Sequence, residues 1–337
     1  MRHIGVDLHP NSLTVCYLEA EQKEVMKTFK MSELEVFKGG LVKTDEIAVE
    51  ATGNTTFFYE HCKDLVAEIV VVAPRQFKVI QKSVSKTDKK DARALAFYLS
   101  KGMLPRARMK EKSYREVGSL VDSRDKLVKL RTVLLNKIHG LLNGEGIKLK
   151  KESLGSKKGL ARAKSLATSS LVKIEIEILV NQVESVNENV KKFEAIIEME
   201  AAKMEGYENV KSIKGIGAKS TAILLSAIGN INDFEDESKL CAYFGLVPRV
   251  SNSNETEKNG RITKRGSKLV RTTLVQCAQV AKRYSPYLGN YFERVKGRKG
   301  FAKAIIATAR KLLTIVYKTL KNKWVFEDFP NFVLKPA

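Results

Sequence analysis

The order of apolar runs over the first 110 residues restricts the fold more than any other feature of the sequence. Three short runs with strand character follow one another at residues 4–9, 13–19 and 24–29, joined by short polar turns. Helical and strand patterns then alternate: helices at residues 32–42 and 57–67 and from 79 onwards, strands at residues 47–50 and 69–73. This order predicts an α/β unit in which turns join the early strands and helices join the later ones.

Four acidic residues lie at the ends of these predicted elements. Asp7 closes the first apolar run and Glu50 closes the fourth strand, whereas Asp88 and Asp91 lie three residues apart on one face of the last helix. Carboxylate oxygens bind Mg²⁺, and two metal ions held in this way can stabilise both oxygens of a phosphodiester displacement. The order of elements is that of a ribonuclease H-like domain. We therefore expect the four carboxylates to meet in one pocket that binds two Mg²⁺ ions.

The charge balance indicates a polyanionic partner. The 337 residues include 60 Lys and Arg against 38 Asp and Glu, a formal net charge of +22. Residues 245–324 hold 19 Lys and Arg against three acidic residues, a local surplus of +16. Because basic side chains displace counterions condensed on phosphate, nucleic acid is expected to meet this region first.

An anionic membrane surface is the competing partner. The chain has no run of about 18 apolar residues, and its N-terminus enters a strand pattern without a signal peptide. We expect a soluble, cytoplasmic protein with no membrane partner. Four scattered cysteines lack C-x-x-C spacing and lie among apolar neighbours, which predicts buried free thiols and neither disulfides nor zinc: Cys16, Cys62, Cys241 and Cys277.

The middle of the chain reads as long helices. No proline occurs between Pro105 and Pro248, and leucines between residues 120 and 141 form an apolar stripe. A second stripe alternates spacings of four and three, the pattern of a coiled-coil seam: Val172, Ile176, Leu179, Val183, Val186, Val190, Phe193 and Ile197. The pattern shows an apolar face but not its partner, so a hairpin within one chain and pairing between subunits both stay open.

Three parts follow from these patterns. Residues 1–112 are predicted to form the metal-binding catalytic domain, residues 113–205 a coiled-coil connector, and residues 206–330 a mainly helical C-terminal domain. In the last part, the segment from Ser212 to Ala222 resembles a helix-hairpin-helix turn, in which glycine lets the backbone approach phosphate. The phosphate contacts expected there come from four residues: Lys214, Gly215, Gly217 and Lys219.

The opening Ile4-Gly-Val-Asp7 is by itself a weak signal. Sugar kinases and other actin-like ATPases begin in the same way, with the aspartate near phosphate and metal. Such proteins need two domains of this kind, and no second Gly-x-Asp strand appears in this chain. The kinase interpretation is therefore disfavoured.

Five segments taken together resemble one known family. They occur in the family's order over nearly the whole chain: Gly5-Val-Asp7, Val49-Glu-Ala-Thr-Gly53, Thr87-Asp-Lys-Lys-Asp-Ala92, Ser212-Ile-Lys-Gly-Ile-Gly217 and Phe244-Gly-Leu-Val-Pro-Arg249. The chain resembles the DEDD transposases of the insertion-sequence family numbered one hundred and ten, to which the pilin-gene invertase Piv belongs. The resemblance implies a RuvC-like N-terminal domain, a coiled-coil connector and a C-terminal transposase domain. It also implies site-specific DNA recombination guided by a structured bridge RNA, in a homo-oligomer such as a dimer or tetramer.

The same resemblance assigns the catalytic residues. The metal ligands fall on Asp7, Glu50, Asp88 and Asp91, and the nucleophile falls on Ser253. Asn254 stands where the family has glycine, which leaves Ser251 as an alternative, although asparagine tolerates left-handed backbone angles. Four basic residues are expected to contact phosphates: Arg249, Lys264, Arg265 and Arg271.

Activation of the serine is expected to come from the carboxylate site. A serine hydroxyl is a poor nucleophile until it loses its proton or contacts a metal, and all four histidines lie in the first half of the chain. The leading hypothesis is a Mg²⁺-dependent recombinase that forms a covalent Ser253–DNA link. The alternative is a RuvC-like Holliday-junction endonuclease in which the carboxylates activate water. A non-catalytic nucleic-acid scaffold is the third possibility, favoured only by carboxylates that lie far apart.

Overall fold

The structure is a computed structural model that describes residues 2–19, 23–74, 77, 87–167, 169–253 and 256–325. The side chains of Lys151 and of residues 251–259 lie outside this description. The chain divides into two compact units, Met1–Met109 and Lys110–Ala337.

The N-terminal unit is a mixed five-stranded sheet with helices on both faces. Its strands are β1 (His3–Leu8), β2 (Ser12–Leu18), β3 (Glu24–Lys30), β4 (Glu46–Glu50) and β5 (Glu68–Val72). Its helices are α1 (Leu34–Gly39), α2 (Thr55–Cys62) and α3 (Asp88–Ser100). The strand order is β3-β2-β1-β4-β5, with antiparallel pairs among the first three strands and parallel pairs from β1 to β4 and β5. The predicted order of elements is confirmed, and the topology is consistent with a ribonuclease H-like domain.

The last described helix of this unit begins at the predicted carboxylate pair. Helix α3 begins at Asp88, and Thr87 is its N-cap residue. The backbone of Thr87 is extended, and its side-chain oxygen accepts a hydrogen bond from the Lys90 N–H. Residues 78–86, where the predicted helix would begin, lie outside the described part of the chain.

Alternation along β1 assigns its residues to the two faces of the sheet. Ile4, Val6 and Leu8 are buried in the cluster that contains Phe37 of α1 and Phe58 of α2. Successive side chains of a strand point to opposite faces, so the positions of Gly5 and Asp7 belong to the other face, against which α3 packs.

Gly5 permits an unusually close approach of α3 to the sheet. A Cβ atom at this position would lie 2.0 Å from the Ala92 carbonyl oxygen and 2.5 Å from the Ala96 nitrogen. Ala92 and Ala96 are themselves fully buried. Three small residues thus bring the helix backbone onto the strand backbone, which fixes the height of α3 above β1.

The C-terminal unit is mostly helical. Its described helices are α4 (Lys112–Gly144), α5 (Lys157–Leu166), α6 (Ser170–Ala201), α7 (Tyr207–Lys211), α8 (Ala218–Ile228), α9 (Glu237–Tyr243), α10 (Lys268–Tyr284), α11 (Pro286–Lys299) and α12 (Phe301–Lys321). One antiparallel hairpin, β6 (Pro248–Ser253) and β7 (Thr256–Ile262), interrupts them. Among the described residues, no helix is long and apolar enough to cross a membrane.

The two long helices α4 and α6 pack against each other within the chain. Ile138 of α4 shares a buried cluster with Ile176 and Val183 of α6. The Arg124 guanidinium donates to Glu194, and Arg131 Nη1 donates to Asn187 Oδ1 at 3.1 Å. Much of the predicted apolar seam of α6 is therefore buried against the same chain. Pairing of subunits through this segment stays a prediction.

The remaining helices form one core around α12. The buried face of α12 packs against α9, α10 and α11, and the Tyr317 hydroxyl donates a hydrogen bond to the Glu235 carbonyl oxygen at 3.1 Å.

All four cysteines are buried free thiols, as the sequence predicted.

Candidate active site

Two of the predicted carboxylates meet at the end of β1, together with a histidine. Asp7 lies on β1, His9 lies one residue beyond it, and Asp88 is the first residue of α3. His9 Nε2 lies 3.2 Å from Asp7 Oδ2 and 3.6 Å from Asp88 Oδ1. One donor atom from each residue lies within 4.8 Å of the other two. The Asp7 side chain is 13% exposed, whereas those of His9 and Asp88 are about half exposed, so solvent reaches one side of the cluster.

The close contact at Gly5 explains this meeting. Asp7 lies two residues beyond Gly5, a distance of about 6.6 Å along a strand. Asp88 lies four residues before Ala92, about 6 Å along a helix. Because strand and helix run in opposite directions from the point where Gly5 meets Ala92, the two carboxylates come together at the same height.

Glu50 and Asp91 occupy the corresponding positions one strand away. The parallel register pairs Val6 with Val49, so the next residues, Asp7 and Glu50, end neighbouring strands on the same face. Asp91 is only 6% exposed and lies one helical turn before Leu95, which packs in the same cluster as Ala48 of β4. Neither Glu50 nor Asp91 belongs to the group of three donors, and their role as metal ligands stays a prediction.

A threonine fixes the backbone at Glu50. The Thr55 hydroxyl donates to the Glu50 carbonyl oxygen at 2.8 Å and accepts the Thr52 N–H at 2.8 Å. Thr55 is 3% exposed, so this bond is shielded from water. The Asn54 amide also donates to the His9 carbonyl oxygen at 3.4 Å, which links the loop after β4 to the residue that follows β1. Thr55 is thus a positioning residue for the predicted ligand.

The donor set and its surroundings suit a divalent cation. Asp88 and Asp91 lie in the first turn of α3, where acidic side chains interact favourably with the partial positive charge of the helix N-terminus. Carboxylate oxygens are ligands for Mg²⁺ and Mn²⁺, and an imidazole nitrogen is a common ligand for transition metals. Asp7, His9 and Asp88 therefore fit such an ion.

Sequence reasoning missed His9 and Thr55. His9 stands in a His-Pro-Asn-Ser segment that reads as a polar turn, and a signal was nevertheless present: Asp7 and His9 are two residues apart at a strand end. Thr55 follows the Glu-Ala-Thr-Gly motif by two residues and is the first residue of α2, a position at which nothing in the sequence indicates a bond to the preceding strand.

The predicted nucleophile lies in hairpin β6–β7. Ser253 is the last residue of β6 and pairs with Thr256, and Ser251 pairs with Lys258. The side chains of both serines lie outside the described part, as does Asn254. The choice between the serines stays a prediction. Arg249 lies exposed on the same strand.

Arg271 has a structural task in this region. The Nη1 atom of Arg271 donates to three loop carbonyl oxygens: Phe244 at 3.2 Å, Arg265 at 2.6 Å and Gly266 at 3.1 Å. Burial lowers the pKa of Arg271 from its ordinary value. This residue therefore holds the loop that carries Lys264 and Arg265, and direct phosphate contact by all three stays a prediction.

The predicted helix-hairpin-helix turn lies between α7 and α8, and its glycines differ in role. A Cβ atom at Gly215, whose φ is +103°, would lie 2.7 Å from the Ala281 nitrogen, so packing against α10 already requires glycine there. Gly217 is the N-cap residue of α8, and within the described part of the chain no atom beyond its neighbours lies within 4 Å of its Cβ position. Lys219 lies 3.5 Å from Glu194. Phosphate contact by this turn, Lys214 included, stays a prediction.

Two family models match separate parts of the chain. Residues 4–146 match a DEDD transposase model, and residues 207–293 match the model described as transposase IS116/IS110/IS902 family. The chain is 26% identical over 331 residues to the transposase for insertion sequence element IS1111A of Coxiella burnetii, covering 95% of this chain and 90% of the relative. It is 25% identical over 335 residues to the transposase for insertion sequence element IS1328 of Yersinia enterocolitica, covering 96% and 98%. The pilin gene-inverting protein of Moraxella bovis is 36% identical over 121 residues, covering 34% of this chain and 37% of the relative.

Proposed function

Because the chain belongs to the IS110 family of DEDD transposases, it is a DNA transposase, and we propose that it cuts and rejoins DNA through a covalent bond to Ser253. The observation that carries DNA cleavage is the convergence of Asp7, His9 and Asp88 at the end of β1. The choice of Ser253 as nucleophile is supported by its position in the family's sequence pattern. The similarity to a pilin gene-inverting protein supports site-specific recombination, since inversion requires that the cut ends be rejoined.

The carboxylate site is proposed to hold Mg²⁺ in a two-metal arrangement. Asp7 and Asp88 would bind the ions with His9 beside them, and Glu50 and Asp91 would complete the set. When bound, the ions neutralise charge on the reacting phosphate and favour deprotonation of the attacking hydroxyl. The hydrogen bond from the Thr55 hydroxyl to the Glu50 carbonyl oxygen and the close contact at Gly5 would hold the carboxylates in place before DNA arrives.

The proposed reaction is a transesterification. The Ser253 oxygen forms a bond to phosphorus, the bond from phosphorus to the leaving deoxyribose oxygen breaks, and the serine proton ends on that oxygen. The new phosphoserine ester conserves the energy of the broken bond, so a second DNA end can attack it and restore the strand. Arg249, Lys264 and Arg265 would hold the flanking phosphates by charge-assisted hydrogen bonds.

Trapping of the covalent intermediate tests this reaction against hydrolysis. Wild-type protein with a suicide DNA substrate should form an adduct that mass spectrometry of the nuclease-trimmed product places on Ser253. Ser253→Ala should abolish the adduct, and Ser251→Ala should retain it, because only one hydroxyl can lie in line with the leaving oxygen. Cleavage without any adduct would support the Holliday-junction endonuclease alternative instead.

The carboxylates have a separate test. Asp88→Asn should abolish strand cleavage and leave DNA affinity within about twofold, since most of the basic surplus lies in residues 245–324. A variant that loses DNA binding together with cleavage would contradict the assignment of Asp88 to catalysis.

A structured guide RNA and assembly of several copies complete the proposal. The exposed apolar residues Leu171, Ile174 and Ile178 of α6 lie outside the hairpin core and support pairing of copies. Sequencing of RNA that copurifies with the protein tests the first point. A recurrent structured species is expected, and a random sample of cellular RNA would count against a guide.

A further inference from the structure

The C-terminal unit contains a cavity of about 710 Å³ to which Lys264 contributes, alone among the predicted site residues whose side chains the structure describes. The hairpin β6–β7 forms one wall, and helices α11 and α12 form the other. On α11 the lining residues Tyr291, Val295 and Arg298 are spaced by four and three, so they lie on one helical face. The volume falls within the range of about 300–1,000 Å³ that is usual for small-ligand sites.

The charge on the cavity wall has one sign. Six lining residues are cationic: Arg261, Lys264, Arg298, Lys299, Lys303 and Arg310. None of the described residues that line it is acidic. Like charges concentrated in a concave surface attract a polyanion and raise its local concentration.

The floor of the same cavity is apolar. Leu246 and Val295 are buried at 1% and 8% exposure, and Ile306 packs beside them. The half-buried ring of Tyr291 also lines the cavity, and the Arg294 guanidinium lies 5.7 Å from the centre of this ring. A site for phosphate alone does not require an apolar floor, and an apolar ligand does not require six cations. A nucleotide has both an apolar planar base and charged phosphate.

The rim of the cavity is held in place by backbone packing. Lys264 has a φ of +56°, a conformation that is uncommon outside glycine. Its N–H donates to the Gly245 carbonyl oxygen at 3.2 Å, and a Cβ atom at Gly245 would lie 2.4 Å from the Arg265 nitrogen. The tight contact between these two loops orders Lys264 before any ligand binds.

We propose that this cavity binds one unpaired nucleotide of a DNA or RNA strand, with the base against Tyr291 and the flanking phosphates on the surrounding lysines and arginines. The proposal rests on the proposed function, in which strands must be separated and exchanged, and it adds a defined site for an unpaired base. Stacking on an aromatic ring suits any base, because every base has a π-face.

The experiment uses the full chain and 12-nucleotide oligonucleotides that carry one central 2-aminopurine, as single-stranded DNA, single-stranded RNA and the corresponding duplex. Binding should quench 2-aminopurine emission in the single strands. Tyr291→Ala should weaken single-strand affinity about tenfold, the usual effect of removing one stacking ring, and should leave duplex affinity unchanged. Tyr291→Phe should retain wild-type affinity, which separates stacking from a folding defect.

Two matched controls sharpen the result. Tyr284→Ala removes a tyrosine that is 62% exposed and does not line the cavity, and it should have no effect. Lys303→Gln should lower the salt dependence of single-strand binding by roughly 0.7 log units per log unit of salt. Lys296→Gln should change it less, because Lys296 pairs with Glu293 at 3.0 Å and lies outside the cavity.

The DNA and RNA arms identify the source of the nucleotide, since the strand whose affinity depends on Tyr291 is the occupant. Equal losses in Tyr291→Ala and Tyr284→Ala, or equal losses for duplex and single strands, would overturn the proposal. Binding that depends on Tyr291 without any covalent adduct in the wild-type protein would overturn the serine chemistry alone.

Discussion

Replacement of Gly5 by alanine tests whether the strand–helix contact sets the geometry of the carboxylate site. The new Cβ would lie 2.0 Å from the Ala92 carbonyl oxygen, and ordinary contact begins at 3.4 Å, so α3 must retreat locally by about 1.4 Å. The retreat moves Asp88 away from Asp7. Overpacking of this kind costs about 1–3 kcal/mol, which corresponds to roughly 4 °C or more in the melting temperature of a domain of this size. A misplacement of about 1 Å can reduce catalysis about 100-fold.

The assay combines thermal unfolding, Mn²⁺ binding followed by electron paramagnetic resonance, and strand cleavage. Gly53→Ala is the matched control, because this glycine follows Glu50 by three residues and, apart from its chain neighbours, no atom of the described residues lies within 4 Å of its Cβ position. Gly5→Ala should melt earlier, bind Mn²⁺ more weakly and cleave at least about 100-fold more slowly than the control. Equal melting temperature and equal Mn²⁺ affinity in the two variants would refute the argument that the Gly5 contact positions Asp88.

Three further predictions concern the rest of the chain. Burial would raise the pKa of Glu194, but the hydrogen bond and the charge of its arginine neighbour lower it. Glu194→Gln should therefore lower the free energy of unfolding at pH values above the ordinary glutamate pKa of about 4.3. This difference between the variant and the wild type should vanish as the pH falls through the lowered pKa. Burial raises the pKa of Cys16 and of Cys62 to about 11, so both thiols should resist Ellman's reagent at pH 8 until denaturant is added. Ile174 is 54% exposed, and Ile174→Asp should lower the mass measured by light scattering without loss of helicity. Val183 is 1% exposed, and Val183→Asp should lower the melting temperature. The reverse pattern would contradict the intramolecular role of the apolar seam.

Much of the N-terminal fold was predictable because a strand is recognisable from its own residues. The pattern of apolar residues in each strand reflects whether one or both of its faces are buried, and Asp7 and Glu50 interrupt apolar runs near the ends of their strands. The carboxylates could be predicted because each lies in a short motif, either at the end of a strand or in the first turn of α3. The helical seam of residues 172–197 was equally visible, but its partner was not, since an apolar face carries no information on which helix covers it.

The missing parts depend on contacts between distant segments. His9 lies next to Asp88 because α3 packs closely against β1, and this close packing requires that Gly5 has no side chain. The resemblance assigned Arg271 to phosphate contact, which stays a prediction, but its hydrogen bonds to loop carbonyls up to 27 residues away were not visible in the sequence. Such uses of a side chain follow from tertiary structure and leave no periodic pattern.

The pair of long helices has a mechanical consequence. Val117 and Ile197 anchor one end of the pair in the C-terminal core, and a separate cluster around Ile138 and Leu160 closes the other end. A helix of 33 residues is about 50 Å long. A rotation of about 5° at the anchored end therefore displaces the far end by roughly 4 Å, as in any lever of that length. The position of the tip is therefore set by a few buried side chains at the anchored end, about 50 Å away.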